Sequence, residues 1–459
     1  MSPVTGQAPA RGGARDILRL AVPALPVLAA EPLYLLVDTA VVGRLGALPL
    51  ASLAVAAVLF AQVTTQLTFL SYGTTARASR FYGAGRRSAA VTEGVQATWL
   101  AVAVGLVVIA AGQLLAAPVA GVLAGGDAIA DGTVSWLRIA LFGAPMVLVT
   151  LAGNGWMRGV QDTRRPMYYV LAGNGLSAVL CPFLVHGLGG WDGWGLEGSA
   201  VANVVAQAVA ASLFLRALAV ERRRAPASDP VRLRPDAAVL RAQVTMGRDL
   251  VIRSLGFQAC FLSATAVAAR FGAESVAAHQ IVLQLWVFQS LVLDAVAIAA
   301  QALVGSALGA AGSAGPEGTA HARTVAARVT RYGLLLGCVF GVVFAALYPV
   351  LPGVFTADAG VLATIPAAWW FFTALQPVAG VVFAVDGVLL GAGDAAFLRT
   401  TTLLAALGGF LPLIWLSLAF GWGLAGIWTG LAAFMLVRLV AVGMRARSGR
   451  WAVPGEVRA

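Results

Sequence analysis

Residues 38–51 read "DTAVVGRLGALPLA" and residues 264–277 read "ATAVAARFGAESVA". Thr39, Ala40, Val41, Arg44, Gly46, Ala47 and Ala51 recur 226 positions later as Thr265, Ala266, Val267, Arg270, Gly272, Ala273 and Ala277. At the same spacing, Ala76 and Gly83 match Ala302 and Gly309. "GWMRGVQD" at 155–162 answers "GVLLGAGD" at 387–394, and "GWGLEG" at 193–198 answers "GWGLAG" at 421–426. One such match carries little weight in a biased composition. Four in the same order, all spaced by about half the chain, indicate an internal duplication.

The medium in which the duplicated unit folds is set by composition. Of 459 residues, 59% are hydrophobic and 11% charged. Soluble domains carry roughly 25% charged residues, so this chain has too few to cover a soluble surface. Apolar runs fall near 17–42, 50–72, 91–118, 134–157, 167–188, 196–220, 247–270, 277–308, 325–351, 364–390, 399–420 and 423–444. Each can supply the roughly 20 residues that a spanning helix needs. Strict alternation is missing, which argues against a β-barrel. The N-terminal stretch lacks the small-x-small cleavage site of a signal peptide. The expected fold is all-α and integral to the membrane, with about twelve spans in two six-helix lobes related by a pseudo-two-fold axis along the membrane normal. The lobes are expected at 1–220 and 244–459, joined by the Arg- and Pro-rich linker 221–243.

The net charge of +11 comes with no Lys at all. Arg clusters precede the first run and follow every even-numbered one, whereas the other loops hold Asp127, Asp131, Asp192, Glu197 and Asp358. By the positive-inside rule both termini and the linker are expected on the cytoplasmic side of the cell's inner (plasma) membrane. The basic residues are therefore topological signals, and no nucleic-acid partner is expected. Cys181, Cys260 and Cys338 lie in apolar runs without metal-ligand spacing. His186, His279 and His321 are scattered, so no metal site is expected. No phosphate-binding Gly-rich loop follows a strand. These absences point away from an enzyme and from direct use of ATP.

Acids inside apolar runs carry the chemistry. Glu31 and Asp38 are seven residues apart and so lie on nearly one face of the first helix. A charged Asp at mid-membrane costs roughly 2.5–3.5 kcal/mol on insertion scales, so it should face a cavity and bind something. Asp294 and Asp386 are similar acids in the second half. Gln62 and Gln66 share one helix face, as do Gln280 and Gln284, and Asn154 occupies the repeat position of Asp386. Such residues serve either as hydrogen-bonding links between helices or as cavity lining. Asp249 and Arg253, one turn apart, are expected to neutralise each other.

Six stretches resemble the multidrug and toxic compound extrusion (MATE) family over nearly the whole chain. They are "AVPALP…LYLLVDTAVVGRLG", "RGVQDTRRP", "GLEGSAVAN", "RDLVIRSL", "LDAVAIAAQALVGSALGA" and "VDGVLLGAGDAAFLRT". The likeness is greatest to the branch typified by DNA-damage-inducible protein F. It implies a secondary antiporter that exports organic cations or amphipathic drugs by alternating access, in exchange for protons or sodium ions. No cofactor other than that ion is implied, and the protein would act as a monomer in the lipid bilayer. Asp38 matches the family's ion-coupling acid, and Pro23 the proline at which the first helix bends. Where relatives carry an Asn-x-x-x-Asp-Pro motif, this chain has Ser177 and Cys181, with Asn174 earlier on the same helix. Asn203 stands where a Thr is common. The second acid is thus absent. Either Asp38 works with Glu31, or protons alone are coupled, or the site is uncoupled. Asp294 and Asp386 match acids of the branch and Gln301 stands where Glu is frequent. With Gln62, Gln66, Asn154 and Gln284 they form the expected substrate cavity. The alternative is a flippase or exporter of a lipid-linked or other amphipathic metabolite.

Overall fold

The computed structural model describes residues 12–456. Eleven of its helices are long and apolar enough to cross a membrane, and the longest of them, Ala273–Leu347, has 75 residues. Gly315 breaks that helix with a non-helical backbone (φ 61°, ψ −140°), and Pro316 follows. The break leaves two stretches of spanning length, so the described residues hold the twelve expected spans. They are α1 (Ala14–Leu45), α2 (Ala47–Gly83), α3 (Arg87–Leu123), α4 (Asp127–Gly159), α5 (Arg164–His186), α6 (Leu196–Arg223), α7 (Ala237–Arg270), α8 (273–314), α9 (316–347), α10 (Pro366–Gly391), α11 (Ala395–Phe420) and α12 (Gly423–Ser448). Helices suit this setting because they satisfy every backbone group from within, which lipid requires.

The chain forms two compact units: residues 22–245, and residues 246–456 together with 12–21. The boundaries fall inside α1, just before Pro23, and inside α7. Pro23, Pro26 and Pro32 all lie within α1. Each lacks an N–H and so removes one helical hydrogen bond. The first unit is built around the buried rings of Trp136, Trp156 and Phe214. The second has one larger core containing Trp369, Phe372, Phe410, Trp428 and Phe434.

The duplication seen in the sequence recurs at atomic scale. In the first unit α4 crosses α2 so closely that a Cβ on Gly155 would stand 2.4 Å from the carbonyl oxygen of Ser71. In the second, a Cβ on Gly387 would stand 2.2 Å from the oxygen of Ala297, where α10 crosses α8. One turn on, Gly159 lies against Thr75 and Gly391 against Gln301. All four contacts correspond at the repeat spacings. Small residues four apart let helix backbones touch, which favours van der Waals packing between helices in lipid. The helix ends match as well. Asp162 N–H donates to Met157 O (2.9 Å) and Asp394 N–H to Leu389 O (2.8 Å). The residue before each acid is left-handed, Gln161 at φ 61° and Gly393 at φ 73°.

The linker is not a loose thread. Its ends belong to α6 and α7, and its middle lies along α3. Gln96 donates to Arg234 O (2.9 Å) and accepts from Asp236 N–H (2.8 Å). Trp99 Nε1 donates to Leu233 O (2.8 Å), and Thr92 Oγ1 accepts from Arg232 N–H (3.2 Å). Glu93 accepts from Arg77 (2.7 Å) and from Gln243 Nε2 (3.2 Å), fixing the start of α7 to the same helix.

Candidate functional site: a buried carboxyl in the first unit

On α1, Glu31, Tyr34 and Asp38 are spaced three and four apart, so one helix face presents all three. Asp38 is 1% exposed. The Cys181 thiol, from α5, donates to its Oδ1 at 3.2 Å. Its Oδ2 makes no hydrogen bond of standard geometry, although the Ser199 hydroxyl of α6 lies close enough to interact with the carboxyl. The Tyr34 hydroxyl, Ser177 Oγ, Asn203 Oδ1, Asn154 Oδ1 and Thr150 Oγ1, all buried, make no such bond either. Ser177 and Asn203 flank the Tyr34 hydroxyl. On the neighbouring helices Trp136 Nε1 donates to Ser199 Oγ (3.0 Å), which fixes α4 to α6 beside the carboxyl.

Asp38, Glu31, Tyr34, Thr150, Asn154, Asn174 and Asn203 line one cavity of about 140 Å³, with Val27, Phe60 and Trp136 among its apolar walls. Glu31 is exposed and Asn174 half-buried. Asn174 Nδ2 is bound to its own helix at Val170 O (3.0 Å). Pockets for drug-sized ligands run to roughly 300–1,000 Å³. This one has room for a few waters or a small hydrated cation. Buried oxygens without partners are costly unless such a guest satisfies them. The donor set is oxygen-rich with a single thiol, which suits a proton or a hard monovalent cation better than a soft metal.

The sequence-derived residues therefore divide. Asp38, Glu31, Asn174, Asn203 and Asn154 come together around the cavity, with Ser177 and Cys181 directly behind it. Pro23 lies one turn before Val27 on the same helix. Gln62 is exposed and Gln66 half-buried on α2, and neither is among the residues lining this cavity. Gln284 (exposed), Asp294 (half-buried), Gln301 (buried) and Asp386 (buried) belong to the other unit. There Asp386 is paired with both Arg253 and Arg438.

The expected Asp249–Arg253 pair does not form. Asp249 accepts from Arg399 (2.7 Å) and Arg248 (3.0 Å) instead, while Arg253 turns to Asp386. Spacing along one helix made the pair possible, but Asp249 is taken by its neighbour Arg248 and by Arg399 of α11, and Arg253 by Asp386 of α10. Sequence reasoning missed Tyr34, Thr150 and Arg438. Tyr34 could have been found by its spacing between Glu31 and Asp38. An Arg inside the apolar run of α12 is itself a signal.

The MatE family model matches twice, at residues 23–183 and 250–416, once in each repeat. Protein DETOXIFICATION 44, chloroplastic, of Arabidopsis thaliana is 33% identical over 455 residues, covering 95% of this chain and 83% of that protein. DNA damage-inducible protein F of Escherichia coli (strain K12) is 28% identical over 450 residues, covering 95% and 94% of the two chains. A crystal structure of MATE in the bent conformation superimposes with a TM-score of 0.85 at 19% identity, covering 96% of each chain.

Proposed function

The chain belongs to the MatE family of multidrug and toxic compound efflux transporters, and on that premise we propose that it is a secondary antiporter whose coupling ion, a proton or sodium, binds at Asp38. It is a multi-pass membrane protein and not an enzyme. The reading extends to its substrates, organic cations or amphipathic compounds, and to a single chain in the plasma membrane with both termini cytoplasmic.

One observation carries this reading: a buried carboxyl, with a thiol and a hydroxyl beside it and no basic side chain paired with it among the described residues, facing a small oxygen-lined cavity. An ionised Asp38 without a cation would be an uncompensated charge in a low-dielectric setting. It is relieved by a proton, a bound cation, or a cationic substrate. The three compete for one negative charge, and competition for a single charge is what exchange requires. Binding the ion releases the substrate, and loss of the ion readies the site for the next one.

Pro23 gives α1 a weakened point at the entry to the unit that holds Asp38. A change of charge at Asp38 can thus be relieved by bending α1, which alters the cavity. The test is transport of ethidium, rhodamine 6G and similar dye cations in proteoliposomes under an imposed proton or sodium gradient. Asp38→Asn should abolish gradient-driven export while the protein stays folded and monodisperse. Glu31→Gln should cost less. Export by Asp38→Asn at the wild-type rate with unchanged pH dependence would refute the assignment.

A further inference from the structure

The repeat spacings identify what the second unit carries in place of the cavity. Val27, Glu31, Tyr34 and Asp38 of α1 correspond to Arg253, Phe257, Cys260 and Ala264 of α7. Asn154 of α4 corresponds to Asp386 of α10, and Asn203 and Gln207 of α6 to Leu431 and Met435 of α12. The polar lining has become apolar filling. Cys260, Ala264, Leu431 and Met435 are buried in the core of the unit, and Phe257 packs against it.

The charge has moved as well. The acid now sits on α10, and the place of Val27 is taken by Arg253, whose guanidinium is paired with Asp386. Arg438 of α12 pairs with the same oxygen of Asp386. The Phe257 ring lies 5.4 Å from the Arg253 guanidinium and 5.0 Å from that of Arg438, and Phe434 is 5.5 Å from Arg438. Ring faces held this close favour a permanent cation. The side chains of Arg253, Asp386 and Arg438 are only 14%, 8% and 3% exposed.

We propose that the second unit keeps a silenced copy of the coupling cavity, in which the guanidinium of Arg253, at the place of Val27 and three turns from that of Asp38, is a tethered cation that occupies the unit's acid. Asp386 is then a fixed counter-ion, and a single ion is carried per transport cycle. The inference rests on the reading of Asp38 as the coupling residue. It adds a coupling ratio and assigns Arg253 as the residue that sets it.

Ethidium carries one positive charge. Exchange of one ethidium for one proton or one sodium ion moves no net charge and ignores membrane potential, whereas exchange for two does not. The experiment is ethidium flux in proteoliposomes of the full chain, with the ion gradient and the membrane potential imposed separately. The wild type should respond to the ion gradient and not to potential. The triple variant Arg253→Met/Asp386→Leu/Arg438→Met replaces a buried charged triad by apolar side chains, an exchange that folded proteins often tolerate. It should keep the wild-type coupling ratio, whatever its rate. Arg253→Met/Arg438→Met, which leaves Asp386 without its cations, should gain a response to potential, and the triple variant should lose it again. Potential-driven exchange in the wild type would overturn the proposal, and so would a folded triple variant with altered coupling. If Asp38→Asn itself remains coupled, the fault lies in the assignment of Asp38 and not in that of Arg253.

Discussion

Gly387→Ala tests the helix crossing on which both units are built. The added Cβ would lie 2.2 Å from the oxygen of Ala297, 2.7 Å from its Cα and 2.8 Å from its carbonyl carbon. All three are backbone atoms of α8, so no rotamer change can relieve the contact. Carbon and oxygen approach to about 3.3 Å at closest in ordinary C–H···O contacts, so α10 must retreat by about 1 Å. Overpacking of this kind costs about 1–3 kcal/mol. The better helix propensity of Ala returns at most about 1 kcal/mol. With the full offset, a net loss of up to about 2 kcal/mol is expected. Gly155→Ala should cost at least as much, because the oxygen of Gly155 also accepts from Thr75 Oγ1 (2.9 Å). Gly443 on α12 has nothing within 4 Å of its would-be Cβ. Gly443→Ala should therefore raise stability by up to about 1 kcal/mol. Thermal unfolding in detergent, followed by tryptophan fluorescence, compares all three with the wild type. Midpoints should fall by a few degrees for the first two and rise slightly for the third. If Gly387→Ala melts at or above the wild type, the close crossing does not govern stability.

Two further outcomes follow from backbone and charge. Gln161 is the one left-handed non-glycine residue among those described, and its repeat counterpart is Gly393. The left-handed conformation costs an L-residue about 1–2 kcal/mol, partly offset by the greater freedom glycine has when unfolded, so Gln161→Gly should raise the melting midpoint; a fall would show that the side chain outweighs the strain. Asp386→Asn alone leaves two guanidinia without a carboxylate and should cost about 3–5 kcal/mol, read as loss of monodisperse protein on size exclusion; wild-type yield and midpoint would show that the pairing is not structural.

Much of the fold was legible because its signals are repetitive. Twelve apolar runs and four ordered matches suffice for the architecture, since lipid leaves few alternatives to helices. The break at Gly315 was legible as the gap between two runs. In the site, the positions on α1 and α5 could be assigned together, and Cys181 does meet Asp38. Partner choice across helices was not legible. Helical spacing tells which face a residue occupies but not which neighbour covers that face. Asp249 and Arg253 looked like a pair for that reason, yet each found a partner on another helix, Arg399 and Asp386. The strap along α3 was missed because Gln96, Thr92 and Trp99 look in sequence like ordinary residues of an apolar helix.

That strap changes what kind of joint the chain has at its middle. A linker between two bodies usually acts as a slack thread that transmits only pull. Here the segment that could have been slack is fastened along α3 by side chains of the unit it leaves. The chain then passes into the second unit within α7, a continuous helix. A rod transmits torque, so a twist imposed on the start of α7 is carried onward as rotation and not absorbed in a loop. Breaking α7 with a few glycines near its passage between the units would turn the rod into a thread.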